Sequence, residues 1–144
     1  MLPGGRRPKG AVEWRDAVLQ VARFAYVAVI WVFLAFLVAQ IFFAGLGLFG
    51  IPPDMRLHAS FGWFVHILDL LLIAVALLAR VGRPTIWWVL ALFVTSAIQP
   101  LLPEFRNDLP VVAALHPLNA VLVTLITVKL ALESARFLRT EAAA

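Results

Sequence analysis

The sequence has 144 residues, 63% of them hydrophobic, with 12 basic and 8 acidic side chains and no cysteine. That apolar fraction exceeds the near half-apolar make-up of soluble domains, and the missing cysteines exclude disulfides, thiolate metal sites, iron–sulfur clusters and covalently attached c-type heme. The net charge of +4 does not point to nucleic acid, because the basic residues flank apolar segments, where they set orientation.

Residues 1–10 are rich in Pro, Gly and basic side chains, a composition that cannot bury a core and predicts a mobile tail. Beyond them Trp14, Val18, Val21 and Ala25 recur at helical spacing, opposite Glu13, Asp16 and Gln20. Residues 1–24 therefore read as a tail and an interfacial helix that leads straight into the first span. A cleaved signal peptide is the competing reading of Arg6, Arg7, Lys9 and the run after them, but the run is too long for an h-region and no A-x-A site ends it.

Four segments, about 25–49, 57–78, 85–102 and 109–128, are each apolar for about the 20 residues that cross a bilayer as a helix. The first loop holds Pro52 and Pro53, with Asp54 placed to cap the next helix. Arg80 to Pro84 makes a short turn, and Trp87 and Trp88 follow where aromatic rings prefer the membrane interface. Pro103 to Asp108 forms the last loop, with Asp108 as the expected cap. Connections this short force antiparallel neighbours, so the fold class is all-α: an up-down-up-down four-helix transmembrane bundle over residues 25–138. No sequence repeat relates its two hairpins. Arg6, Arg7, Lys9, Arg15, Arg23, Arg80, Arg83, Lys129, Arg136 and Arg139 fall on one side, against Arg56 and Arg106 on the other. Both termini are therefore expected to be cytoplasmic.

Polar side chains inside spans are costly and face a bundle interior or cavity. With about 1.5 Å of rise per residue, His58 lies about 6 Å and His66 about 18 Å along the helix from Asp54, and His116 about 12 Å from Asp108. Gln40 and Gln99 fall in the same outer half of the first and third spans. His58, His66 and Asp69 share one broad side of their helix, and Asn119 follows His116 at i+3. Imidazoles on the second and fourth spans are placed to supply both axial ligands to the iron of a non-covalent heme b. Depth does not choose between His58 and His66 as partner of His116; His66 is favoured because His58 is close enough to the interface to be simply hydrated. Gly62, Ala113 and Ala120 flank the histidines as small residues, and Pro117 frees the Ala113 carbonyl.

Each feature has a plainer reading. Small residues at three- and four-residue spacing pack membrane helices closely, and histidine or glutamine also serves as an interhelical hydrogen-bond partner. Gln40 and Gln99 fit that role better than ligation, with heme propionates or a quinone as the lesser reading. Asp69, near mid-span, must be protonated, paired or hydrated. It either accepts the Nδ1 proton of His66 or is a neutral acid bonded to Thr95 or Ser96.

The segment AQIFFAGLGLF from Ala39, LHASFGWFVHILDLLL from Leu57 and LHPLNAVLV from Leu115 together resemble an uncharacterised family of small bacterial four-span membrane proteins, which implies the bacterial inner membrane as location. The Gln40-Ile41 start with nearby glycine, and histidines on the second and fourth helices, are similar to one four-helix half of heme A synthase. That likeness implies His66 or His58, together with His116, as heme ligands. Only one half is present and the catalytic carboxylate signature is unmatched, so heme binding is implied rather than heme hydroxylation.

Three functions follow as expectations. One is a small membrane cytochrome passing electrons to or from a quinone or a respiratory complex. A second is a non-enzymatic accessory or assembly subunit. The third is a proton-coupled transporter built on Asp69, with His66 and His116 as relay groups. No phosphate loop, metalloprotease motif or nucleophile elbow is present, so no enzymatic activity is assigned. The lipid-facing surface of four spans is compatible with a homo-oligomer.

Overall fold

The structure, a computed structural model, describes residues 9–50 and 52–142. Arg6 and Arg7 lie outside the described residues, whereas Lys9 and Gly10, expected in the tail, already belong to the first helix. The elements are α1 (Lys9–Phe49), α2 (Arg56–Leu78), α3 (Arg83–Ile98), a 3₁₀ turn (Leu102–Arg106), α4 (Pro110–Ala113) and α5 (Leu115–Ala142). No strand occurs among the described residues.

Four helical stretches, Glu13–Phe49, Arg56–Leu78, Arg83–Arg106 and Pro110–Phe137, are long and apolar enough to cross a membrane. Large side chains such as Phe42, Trp63, Leu78, Leu118 and Leu125 point outward, as they do when the surrounding solvent is lipid. The chain is a multi-pass membrane protein. Around the bundle, α1 packs on α2 and α5, and α3 packs on the same two helices. The second and fourth spans, α2 and α5, therefore face each other across a diagonal. The end that carries the start of α1, the end of α5 and the Arg80 to Gly82 turn is called proximal below, and the end with the other two connections distal.

Prolines interrupt two of the spans. α3 stops at Ile98, because Pro100 and Pro103 have no N–H to continue the helix ladder, and a turn and the 3₁₀ segment carry the third apolar stretch on to Arg106. The fourth is interrupted at Ala114, between α4 and α5, where Pro117 removes the donor that the Ala113 carbonyl would meet. It then runs on to Ala142, well beyond 128.

Neither aspartate expected as a cap takes the N-cap position: on α2 that residue is Met55, with no side-chain cap bond, although Asp54 bonds the residue that follows it. Asp54 Oδ1 accepts the backbone N–H of Arg56 at 2.8 Å, and Oδ2 accepts from its Nε at 2.8 Å. The Arg56 N–H, and then its guanidinium, hold the Asp54 carboxyl below the usual carboxylate range. A lowered native value means that this small, exposed contribution is in place above about pH 3.9 and is lost as pH falls through the native value. Asp108 does not cap: Leu109 is the N-cap residue and no side chain bonds the helix start. Pro110 stands at the first helical turn, and its ring removes one of the free amides that a cap would answer.

The packed core lies in the proximal half. Tyr26, Ile30 and Phe33 of α1, Leu72, Ala76 and Ala79 of α2, Val89 and Leu92 of α3, and Leu130 and Ala131 of α5 are all buried. Small residues at Ala76, Ala79 and Ala131 let the backbones approach, the usual means of association where lipid removes the hydrophobic drive between helices. α2 closes with Arg80 N–H on the Leu77 carbonyl at 3.2 Å and Val81 N–H on the Ala76 carbonyl at 3.4 Å. This is a Schellman pattern with Arg80, at φ 52°, in the place glycine normally takes. Buried Val81 ties the turn to the core. Ala76→Leu is expected to lower stability by about 1–3 kcal/mol through overpacking, whereas lipid-facing Leu78→Ala leaves it nearly unchanged. Reversible unfolding in mixed micelles measures both.

Candidate functional site at the distal end

Two imidazoles meet across the bundle diagonal. The rings of His58 on α2 and His116 on α5 have centroids 6.0 Å apart and planes at 83°. α5 begins at Leu115, so His116 stands on its first turn, as His58 stands on the first turn of α2. His66 does not share this level: its Nδ1 is 3.4 Å from Ser96 Oγ and its ring lies against Trp63 at 5.9 Å.

Each of the paired histidines is tied by Nδ1 to a glutamine backbone. His58 Nδ1 donates to the Gln40 carbonyl at 3.0 Å, and His116 Nδ1 donates to the Gln99 carbonyl at 3.0 Å. A carbonyl only accepts, so the proton of each neutral ring is fixed on Nδ1 and the lone pair is left on Nε2. A carbonyl holding the Nδ1 proton is also the usual second partner of a metal-ligating histidine. The two hairpins thus repeat one contact, α1 carbonyl to α2 imidazole and α3 carbonyl to α5 imidazole, although no repeat is visible in the sequence.

Proline chemistry supplies the acceptors at the end of α3. Pro103 has no N–H, so the Gln99 carbonyl lacks its own helical donor and is open to His116. Pro100 likewise cannot serve Ser96, whose carbonyl instead takes the Gln99 N–H at 3.0 Å. The Thr95 carbonyl is freed in turn, and Asn119 Nδ2 donates to it at 2.8 Å and to Gln99 Oε1 at 2.7 Å. Across the bundle, Gln40 Nε2 donates to the His58 carbonyl at 2.8 Å. Gly62 makes room for it, since a Cβ there would lie 3.0 Å from Gln40 Nε2. Gln40 and Gln99 therefore make the interhelical bonds expected of them. The Gln99 and Thr95 backbone carbonyls were missed, yet their signal was legible: prolines four residues beyond Gln99 and beyond Ser96.

Gln40, His58, Gly62, Gln99, Ala113, His116, Asn119 and Ala120 are all only half-buried, in contrast to the sealed proximal half. Deeper in the bundle Asp69 is buried, at 1% exposure. Its Oδ2 lies 3.6 Å from His66 Nδ1, and neither carboxylate oxygen has a hydrogen-bond partner among the described residues. The Thr95 hydroxyl turns to its own helix, to the Ala91 and Leu92 carbonyls at 2.9 Å. Among the described residues no three or more His, Cys, Asp or Glu converge to hold a metal ion, so a metal at the diagonal would take two protein ligands.

Residues 40–105 match a family described as a family of unknown function (DUF6220). The matched stretch runs from Gln40 through His58, His66, Asp69 and Gln99 to Pro103 and Phe105, and ends before His116. No curated protein and no solved structure matches the chain.

Asn119→Leu removes both amide bonds to α3. At about 0.6 kcal/mol for an average interhelical bond, it is expected to cost about 1 kcal/mol. Gly62→Ala displaces the Gln40 amide and weakens the α1–α2 contact. The same micelle unfolding assay reads each loss.

Proposed function

We propose that this protein is a small membrane cytochrome that binds heme b without covalent attachment between His58 and His116, in the outer half of the bundle. It passes single electrons to or from a quinone or a respiratory partner in a bacterial inner membrane. The observation that carries this reading is the imidazole pair with both Nδ1 protons tied to carbonyls. The two rings lie 6.0 Å apart, and His58 and His116 would hold the group through the Nε2 atoms that their Nδ1 bonds leave free.

The remaining residues have roles that follow from their contacts. The Gln40 and Gln99 carbonyls orient the rings and keep Nε2 available. Asn119 fastens the Gln99 side chain and holds the end of α3 against α5. Ala113 and Ala120 keep the walls beside His116 low. Heme, when bound, would supply a one-electron ferric–ferrous couple, with His58 and His116 as the residues that would hold it. The likeness to one half of heme A synthase implies His66 or His58 as the partner of His116, and the contact between the His58 and His116 rings is what favours His58.

After heme-replete expression, the detergent-purified protein is expected to show a low-spin Soret spectrum that His58→Ala and His116→Ala each abolish or convert to high spin. His66→Ala is expected to retain it. A colourless wild-type protein refutes the cytochrome and leaves the polar contacts as fasteners of an accessory subunit, to be sought by mild extraction of a larger complex.

A further inference from the structure

Asp69 combines two properties that rarely coexist: it is 1% exposed, and both carboxylate oxygens lack hydrogen-bond partners among the described residues. An ionised carboxylate in that state is strongly disfavoured, and a proton relieves it. Toward the proximal end it is sealed by Leu72, Ala76 and Leu92, all at 0–1% exposure. Its neighbour is His66, whose Nδ1 lies 3.6 Å from Asp69 Oδ2 and 3.4 Å from Ser96 Oγ. The His66 side chain is 24% exposed, so the imidazole stands between the sealed acid and the half-open distal half. α3 sets Ser96 and Thr95 here, neither of them titratable. On α1 and α5, Tyr26, Lys129 and Glu133 stand toward the proximal end and His116 at the distal end.

We infer that Asp69 and His66 form a proton-binding pair at the centre of the bundle, with the imidazole as the route by which the proton enters and leaves. In the loaded state a neutral carboxylic acid lies beside a neutral imidazole that carries its proton on Nε2. Transfer breaks the Asp69 O–H bond and forms N–H on His66 Nδ1, giving carboxylate and imidazolium. Loss of the Nε2 proton then leaves the carboxylate accepting from a neutral, Nδ1-protonated ring. One proton has left, the two tautomers account for the rest, and no iron takes part. The Ser96 hydroxyl lies within reach of the same nitrogen and steadies the ring through the change.

Infrared titration of the full chain in detergent, from about pH 5 to pH 8 where histidine titrates, tests this directly. Wild type is expected to show a carboxylic-acid C=O stretch that fades as pH rises and is absent in Asp69→Asn. His66→Gln, which cannot take the proton, is expected to hold that band to higher pH. If Asp69→Asn does not fold, carbon-13 labelling of aspartate carboxyls, compared between wild type and His66→Gln, reads the same band. A spectrum with no such band anywhere in the window, or a band unchanged both by pH and by His66→Gln, overturns the proposal. A missing Soret band leaves this measurement unaffected.

Discussion

In hydrocarbon a backbone carbonyl that loses the amide of its own helix must be answered by something nearby, and the distal end of this bundle is organised by that requirement. Pro100 and Pro103 take two amides away from the end of α3. The carbonyls of Thr95 and Gln99 then recruit Asn119 at 2.8 Å and His116 at 3.0 Å from α5. Without those prolines the last turn of α3 would satisfy itself, and nothing would fix the His116 ring or its tautomer. The other hairpin reaches the same result by a different means: Gly62 admits the Gln40 side chain, while the Gln40 carbonyl holds His58.

Stability and candidate chemistry occupy opposite ends of the molecule. In the proximal half, small and aliphatic residues close the helices on one another and the α2 turn is pinned by buried Val81. In the distal half the same helices carry polar side chains that are only half-buried. A rigid base that holds polar groups at the open end of a bundle is a familiar basis for a cofactor site, because ligand geometry is then set by the scaffold rather than by loops. Asp69 lies where the two regions meet, sealed on one side and next to His66 on the other.

Much of this was legible in the sequence. Hydropathy and loop length were enough for four antiparallel spans, and the coincidence of Gln, His and Asn in one half of every span marked the site. The pairing of His58 with His116 was not legible, because depth counted along an ideal helix placed His116 about equally far from His58 and His66. Asp108 looked like a cap by residue type alone, yet Pro110 had removed the need for one. Gly62 serves as the close-packing position its size suggested, since the neighbour a Cβ would meet is the Gln40 amide. These differences share one origin: side-chain periodicity is visible in a sequence, but the redirection of a backbone hydrogen bond by a distant proline shows only when the acceptor's new partner is found.

The unbroken length of α1 has a mechanical consequence. It is a single helix of 41 residues, and Trp14 near its start is separated from Gln40 by about 39 Å of continuous rod at 1.5 Å per residue. With no hinge between them, a tilt imposed on the first turns by a membrane surface or a docking protein would act as a lever on the acceptor that orients His58.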